Sequence, residues 1–182
     1  MIKITIQKLK ESNFNYCSLD DFMLKQSVSE CWRKNGDVYK LTKVNYTEDW
    51  DLNKRRSIAR QIAELIKNDG AAFGAFCRNK IIGFALIDPL FFGSAKQYLD
   101  LAMLYVSLPY RRHGIGRQLF RAACDEAILR GAKKLYISAH SAKESAAAYF
   151  NYGCTFAEEI NSLLIEKEPF DLQLEFDLLK KL

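Results

Sequence analysis

A strand–helix–strand pattern in the middle of the chain places the strongest constraint on its fold. The run from Tyr98 to Val106 is apolar except for Asp100, which predicts a strand buried in a sheet. A turn and an amphipathic helix over residues 114–130 follow, with Gly131 at the helix end, and a second strand occupies residues 134–138. A helix between two such strands lets them lie parallel in one sheet, so the pattern predicts a βαβ unit.

The segments on both sides of this unit predict a mixed α/β domain. Ile2, Ile4 and Ile6 alternate with polar residues and indicate an opening strand, and LQLEFDLL near the end alternates in the same way. Between them the pattern predicts a loose helix over 18–33 and a second helix that begins at a capping signal at Thr47 and ends at Asp69 and Gly70. A strand hairpin that turns at 78–80, a loop over 88–97 and a helix over 141–151 are also predicted. We interpret the whole chain, residues 1–182, as a single domain.

Length and cysteine content exclude several classes of protein. With 182 residues, 49% of them hydrophobic, the chain is long enough to bury one core. It has no run of the roughly 18 apolar residues that a membrane-spanning helix needs, and its start does not resemble a secretory signal, so we expect a cytoplasmic protein. The five cysteines are odd in number and lack CxxC spacing, which argues against a disulfide framework and a metal site.

The charge distribution indicates where an anion would bind. Residues 52–156 carry 16 basic and 7 acidic side chains, a net charge of +9, whereas residues 157–182 carry a net charge of −4. The basic residues form no long Lys/Arg block and no stripe interleaved with aromatic residues, which argues against a nucleic-acid partner. A small polyanion fits this pattern better.

The segment LYVSLPYRRHGIGRQLF, residues 104–120, is the best candidate for that anion site. Gly114 and Gly116 allow backbone N–H groups at a helix start to approach a ligand closely. Three arginines add positive charge: Arg111, Arg112 and Arg117. A Rossmann fingerprint would need a third glycine where the chain has Leu119, and a P-loop would need Gly-Lys-Ser/Thr, so both common nucleotide motifs are absent. The alternative is that the glycines only shape a turn before a surface helix.

Two motifs in this half of the chain resemble the GNAT N-acetyltransferase superfamily. The turn RRHGIG, residues 111–116, is similar to the family's Arg/Gln-x-x-Gly-x-Gly/Ala motif for the coenzyme A pyrophosphate. The preceding Leu104 to Val106 resembles the strand segment that pairs with the pantetheine arm. The sequence AYFNYGC, residues 148–154, resembles the end of the family's next helix, where a tyrosine lies four residues before a glycine.

The resemblance implies a fold, a co-substrate and a division of the chain. The expected fold is a central, mostly antiparallel twisted sheet flanked by helices, with a coenzyme-binding core over about 98–154 and an acceptor-binding part over about 10–52. Acetyl-coenzyme A is the expected co-substrate, with no metal. The residues expected to bind it are Leu104, Tyr105, Val106, Arg111, Arg112, His113, Gly114, Ile115, Gly116, Arg117, Ser141 and Ser145.

Two residues are candidates for proton transfer. The resemblance places the Tyr149 hydroxyl beside the thioester sulfur, where it would act as the acid. Asp100 lies where the family often has a glutamate base, and a charge in an apolar strand is costly without a purpose or partner. Aspartate is one methylene shorter, which favours a bridging water. The alternatives are a Tyr149 that only packs in the core and an Asp100 carboxylate paired with an arginine at the strand edge.

Two further positions carry open assignments. The family's coenzyme-binding asparagine is replaced by Ala142, so Ser141 or Ser145 would substitute for it. His140 is either a base or, as is more usual at a strand-to-helix turn, a capping or packing residue.

The acceptor site is expected among acidic and aromatic residues of the first 50. Asp21, Phe22 and Trp32 are the candidates to hold a cationic amine, with Tyr46 and Trp50 in the same segment. The expected partners are acetyl-coenzyme A and a small amine, without nucleic acid or membrane; a homodimer stays open. The competing hypothesis is a non-catalytic acyl-coenzyme A-binding or regulatory module of the same fold.

Overall fold

The computed structural model describes residues 3–36 and 38–179, so Ile2, the first residue of the predicted opening strand, lies outside the described part. The elements follow one another as β1 (Thr5–Lys8), β2 (Lys25–Asn35), β3 (Val38–Asp49), α1 (Leu52–Lys67), β4 (Ala71–Cys77), β5 (Lys80–Ile87), β6 (Tyr98–Val106), α2 (Ile115–Leu129), β7 (Lys134–Ala139), α3 (Lys143–Tyr152), β8 (Thr155–Phe156), α4 (Ser162–Lys167) and β9 (Leu172–Asp177).

Within the described residues, seven strands form one sheet in the order β1-β4-β5-β6-β7-β9-β8. The β6–β7 pair is parallel and the other pairs are antiparallel, which confirms the predicted βαβ unit β6-α2-β7 and the mostly antiparallel sheet. Helices α2 and α3 cover one face through a core that includes Leu119, Phe120 and Ala146, and α1 covers the other through Ile58 and Ile62. Strand β5 is buried on both faces because both carry helices.

The predicted helix over 18–33 is wrong. Its second half is β2, which pairs antiparallel with β3 from Lys25 opposite Asp49 to Asn35 opposite Val38. This two-stranded ribbon docks on the start of α3: the Trp32 N–H donates to the Ser141 carbonyl at 2.8 Å. A distant partner strand decides the conformation here, because the segment has no strong helical periodicity of its own.

The other predictions differ from the structure mainly at element ends. Helix α1 begins after Asp51, whose side chain accepts from the Lys54 N–H at 2.7 Å, and not at Thr47. The hairpin between β4 and β5 is confirmed, with Arg78 and Asn79 at φ 48° and 63° as a tight turn requires. The short helix α4 was missed by the sequence analysis.

Strands β6 and β7 separate in the middle of the sheet. They pair in parallel from Tyr98 opposite Lys134 to Asp100 opposite Tyr136. In the described chain, β6 then continues to Val106 without a β7 partner. The unpaired edge of β6 leaves a cavity whose wall carries free backbone hydrogen-bonding groups.

A bulge on the opposite edge of β6 lies at the same point. Leu86 pairs with Met103 and Ile87 with Leu101, so Ala102 falls outside the ladder and is exposed. Bulges of this kind bend a strand and change where its side chains point. Both features therefore redirect β6 just after Asp100.

Close packing of α2 on the sheet depends on a glycine in β5. A Cβ atom at Gly83 would lie 2.9 Å from the Leu119 Cδ1 and 3.1 Å from the Tyr105 carbonyl oxygen. We predict that Gly83→Val lowers the free energy of unfolding by about 1–3 kcal/mol, because the added bulk displaces the helix. Urea denaturation measures this. The control Thr42→Val, on the exposed ribbon, should stay within about 0.5 kcal/mol of the wild type.

Candidate active site

A cavity of about 1480 Å³ opens where β6 leaves β7. Its walls come from the second half of β6, the turn before α2, helix α3, the β2–β3 ribbon, α1 and the segment between α4 and β9. The βαβ core and the ribbon thus share one cavity, so a ligand held by the core is within reach of groups from both ends of the chain.

The turn before α2 forms one corner of this cavity, the phosphate corner, and its features suit an anion. Arg112 and Gly114 have φ values of 66° and 75°, so both adopt the left-handed conformation. Helix α2 begins directly after them, at Ile115. The first N–H groups of a helix lack intrahelical partners and carry the positive end of its dipole. Arg112 and Arg117 are exposed and line the cavity beside them.

Arg111 and Gly116 shape this corner. The Arg111 guanidinium donates to the Val106 carbonyl at 3.0 Å and the Lys25 carbonyl at 3.3 Å, so it ties the turn to β6 and to the ribbon. A Cβ atom at Gly116 would lie 2.7 Å from the Tyr152 hydroxyl oxygen. Glycine at this position therefore lets the helix start approach α3 closely.

Most residues predicted to bind the coenzyme are brought together by the fold. Those that line the cavity are Leu104, Tyr105, Val106, Arg111, Arg112, Gly114, Ile115, Gly116, Arg117 and Ser145. Ser141 and His113 do not. Ser141 is 3% exposed and its hydroxyl accepts a hydrogen bond from Arg33 at 2.7 Å, so it anchors the ribbon. The His113 Nδ1 atom lies 2.7 Å from the carbonyl oxygen of Arg111, within hydrogen-bond distance.

Asp100 is the most unusual group in the cavity. It is 9% exposed, and its Oδ1 atom is buried without a hydrogen-bond partner among the described residues. No ion pair reaches it in residues 3–36 and 38–179, so the alternative of an arginine-paired carboxylate is not what the structure shows. Burial, and secondarily the nearby Asp88 carboxylate, raise the pKa of Asp100 to about 7, with Lys167 acting in the opposite direction.

Tyr149 lies on the α3 wall of the same cavity. Its ring packs edge-on against Phe120 and Tyr152, with centroids 6.3 Å and 6.1 Å apart. Burial raises the pKa of the Tyr149 phenol well above its usual range, so the hydroxyl keeps its proton at neutral pH. It therefore packs against the core and still presents a proton donor to the cavity.

His140 joins the core to the ribbon. Its Nδ1 accepts from the Ala142 N–H at 3.2 Å, so the proton of the neutral ring is on Nε2, which donates to the Tyr46 hydroxyl at 3.1 Å. Both rings line the cavity. These contacts support the capping and packing interpretation of His140.

Of the residues predicted on the acceptor side, Tyr46 and Trp50 line the cavity, whereas Asp21, Phe22 and Trp32 do not. Phe22 is 1% exposed and packs with Trp50 and Phe84, Asp21 pairs with Lys80 at 2.7 Å on the surface, and Trp32 packs against the core. Asp21 and Phe22 lie before β2 and Trp32 lies within it, so the acceptor role of these three residues stays a prediction that the cavity lining does not support.

Acidic and aromatic groups from two parts of the chain line another part of the cavity. The β3 strand and the residue after it contribute Tyr46, Glu48 and Trp50, and the segment between α4 and β9 contributes Glu168 and Asp171. The acidic balance of residues 157–182 was the sequence signal for the last two. It indicated a negative segment without indicating what it faces.

A family model described as the acetyltransferase (GNAT) family matches residues 35–154, about two thirds of the chain. The chain therefore belongs to the GNAT acetyltransferase family, and acetyl transfer is the class of reaction that this fold and site define. A search of the curated proteins found no significant match.

Solved structures share the fold at low sequence identity. A nourseothricin acetyltransferase is similar at 16% identity and a TM-score of 0.70, covering 96% of this chain and 98% of its own. A streptothricin acetyltransferase described as putative, from Bacillus anthracis and in complex with acetyl coenzyme A, is similar at 17% identity and a TM-score of 0.67, covering 96% of both chains. The GNAT family N-acetyltransferase YhbS from Escherichia coli, in complex with coenzyme A, has 14% identity and a TM-score of 0.61, covering 98% of this chain and 83% of its own.

Two kinds of feature are absent from the described residues. No helix there is both long and apolar enough to cross a membrane. No group of three or more His, Cys, Asp or Glu side chains there is arranged to hold a metal ion.

The exposed arginine of the phosphate corner provides a test of anion binding. We predict that Arg112→Gln weakens coenzyme A binding about threefold to tenfold, because it removes one charge-assisted contact. The loss should shrink as salt is added, since the contact is exposed. Isothermal titration calorimetry measures both effects. The control Arg60→Gln removes an exposed charge of α1 outside the cavity and should bind normally; equal affinities for all three proteins would contradict the assignment.

Proposed function

We propose that this chain transfers the acetyl group of acetyl-coenzyme A directly to a primary amine, with residues 1–182 acting as one N-acetyltransferase domain. The observation that carries the proposal is Asp100. A buried carboxylate without a partner, at the fork of β6 and β7, is costly to keep unless it handles a proton or meets a cation.

The corner at the start of α2 and the unpaired edge of β6 fit the co-substrate. The helix N–H groups with Arg112 and Arg117 would hold the pyrophosphate, and the free backbone groups of Leu104 to Val106 would pair with the pantetheine arm. Acetyl-coenzyme A supplies the acetyl group as a thioester. Two of the structural neighbours are named as complexes with acetyl coenzyme A or coenzyme A, which supports this assignment.

Asp100 would receive the proton of the amine. An ordinary alkyl amine with a pKa near 10.4 lies about 3.4 units above neutral pH, so its deprotonation costs about 4.6 kcal/mol. A carboxylate with a pKa of about 7 is half ionised at neutral pH and is a far better base than an ordinary aspartate. Because aspartate is short, a water molecule between the carboxylate and the amine suits this role.

Tyr149 would act on the leaving sulfur. Its phenol stays protonated, so it donates a hydrogen bond to the thiolate as negative charge develops there. Since a phenol is less acidic than a thiol, stabilisation by this hydrogen bond contributes more than complete proton transfer.

The proposal is tested with a panel of primary amines and acetyl-coenzyme A. Release of free thiol is followed together with the mass of the product, which must increase by one acetyl group on nitrogen. Tight coenzyme binding without thiol release for any amine would refute the proposal and leave the non-catalytic acyl-coenzyme A-binding module.

The pH dependence of turnover tests Asp100. We predict that wild-type kcat/KM rises with pH through about 7 as Asp100 ionises. Asp100→Asn should lower the rate at pH 7 by about 100-fold and lose this ionisation, while activity recovers toward about pH 10, where the amine loses its proton unaided. A normal rate at pH 7 in a folded variant would remove Asp100 from the mechanism.

We predict that Asp100→Asn, which lowers the rate, raises the stability of the fold. The pKa of Asp100 is raised from 3.8 to about 7, so the folded protein keeps a proton that the unfolded chain releases. This stabilisation is complete below about pH 4 and is lost as the pH rises through about 7. Asparagine is neutral throughout, so Asp100→Asn should unfold at a higher temperature than the wild type at pH 8, with a smaller difference at pH 4. A paired structural carboxylate would give a less stable variant at pH 8.

A second variant isolates the phenol. We predict that Tyr149→Phe lowers kcat about tenfold to 100-fold while acetyl-coenzyme A affinity changes little, because the hydroxyl acts when charge develops on sulfur. Steady-state kinetics and calorimetry separate the two quantities. The control Tyr39→Phe, on the ribbon outside the cavity, should keep the wild-type kcat. Parallel loss of affinity and stability in Tyr149→Phe would instead identify a packing residue.

A further inference from the structure

The cavity contains a second negative region beside Asp100. Glu48, near the end of β3, and Glu168 and Asp171, from the segment between α4 and β9, line one wall. In residues 3–36 and 38–179 none of the three forms an ion pair within 4.0 Å. Three acidic side chains from two distant parts of the described chain therefore line one cavity without an ion-pair partner within 4.0 Å, while Arg33 acts on Asp171 and Arg111 interacts with Glu48 from further away.

The three carboxylates line one cavity, and their charges act on one another there. Burial, then Glu168 and then Glu48, raise the pKa of Asp171 to about 6, with Arg33 acting in the opposite direction. The same three carboxylates raise the pKa of Tyr105 beyond the effect of its burial. Like charges at such proximity are unfavourable, and a bound cation would relieve their repulsion.

Aromatic rings complete this wall. Trp50 and Tyr105 meet edge-to-face with centroids 4.8 Å apart, and the Trp50 indole N–H donates to the Glu48 carboxylate at 3.3 Å. Both rings line the cavity next to the acids. Carboxylates with aromatic faces attract ammonium groups through charge and through the ring quadrupoles.

Asp100 is an independent sign that the cavity receives cations. More than nine-tenths of its surface is buried, its Oδ1 is unpartnered among the described residues, and it lines the same cavity at the strand fork. The fork and the acidic wall are therefore two separate negative positions. The positive side chains that line the cavity are the arginines of the phosphate corner and three lysines, Lys25, Lys54 and Lys167. An acceptor with one amine would satisfy only one of the two negative positions.

We propose that Glu48, Glu168 and Asp171 bind a second ammonium group of the acceptor, so that the substrates are diamines or polyamines whose other amine reaches Asp100. The inference rests on the proposed acetyl transfer to an amine and narrows its substrate class. The acidic wall selects the acceptor by charge, and the fork activates the amine that reacts.

Two amines with carbon chains of the same length test this selection. Putrescine is a four-carbon diamine and butylamine is its monoamine counterpart. The wild type should favour putrescine by about tenfold or more in kcat/KM, and added salt should reduce that ratio. Lowering the pH through about 6 should reduce it further, since Asp171 then becomes neutral. Equal kcat/KM for the two amines would overturn the proposal.

Variants that neutralise one carboxylate each test whether these residues cause the preference for putrescine. Glu168→Gln and Asp171→Asn should each lower the putrescine-to-butylamine ratio about fivefold. The matched control Glu166→Gln removes an exposed charge of α4 that does not line the cavity, and its ratio should equal that of the wild type. If the ratio falls equally in all three variants, the preference comes from the overall negative charge of this surface, and the subsite is refuted.

Calorimetry separates failure of this inference from failure of the proposed reaction. Putrescine and butylamine are titrated into the coenzyme A complex of the wild type and of Glu168→Gln. If no amine is acetylated, the proposed reaction fails, and the subsite stands or falls on whether putrescine binds the wild type more tightly than the variant. If both amines are acetylated but bind equally in both proteins, the reaction stands and the subsite is refuted.

Discussion

The separation of β6 from β7 is the constraint on which the rest of the site depends. Parallel pairing ends at Asp100, and the remaining edge of β6 keeps its backbone groups free for a ligand. The bulge at Ala102 redirects the strand at the same point. The fork buries Asp100 beside the apolar sheet and opens the cavity in front of it, so the perturbed carboxylate and the binding site have one structural origin.

Charge is distributed unequally around that cavity. The start of α2 with Arg112 and Arg117 makes one corner positive, and Glu48, Glu168 and Asp171 make another wall negative. The proposed reaction would benefit from both, because each region attracts one reactant, the anionic coenzyme or the cationic amine, and repels the other. The net charge of +5 does not reveal this division, because opposite charges from different parts of the chain cancel in the sum.

The β2–β3 ribbon connects the acidic wall to the core. Its docking uses the Trp32 N–H on the Ser141 carbonyl, the Arg33 guanidinium on the Ser141 hydroxyl and the Tyr46 hydroxyl on His140. These contacts hold Glu48 and the end of β3 against the cavity. Ser141, which was predicted to bind the coenzyme, and His140, which was either a base or a capping residue, thus position the ribbon.

The sequence by itself determined the βαβ unit, the phosphate corner and the family, because local periodicity, two glycines and a tyrosine at fixed spacing encode them within short segments. The tertiary structure alone decided the ribbon in place of a helix, the burial of Asp100 without a partner and the meeting of Glu48 with Glu168 and Asp171. Each of those depends on contacts between residues far apart in the chain, and neither strand pairing nor desolvation can be read from the residues on one side of such a contact.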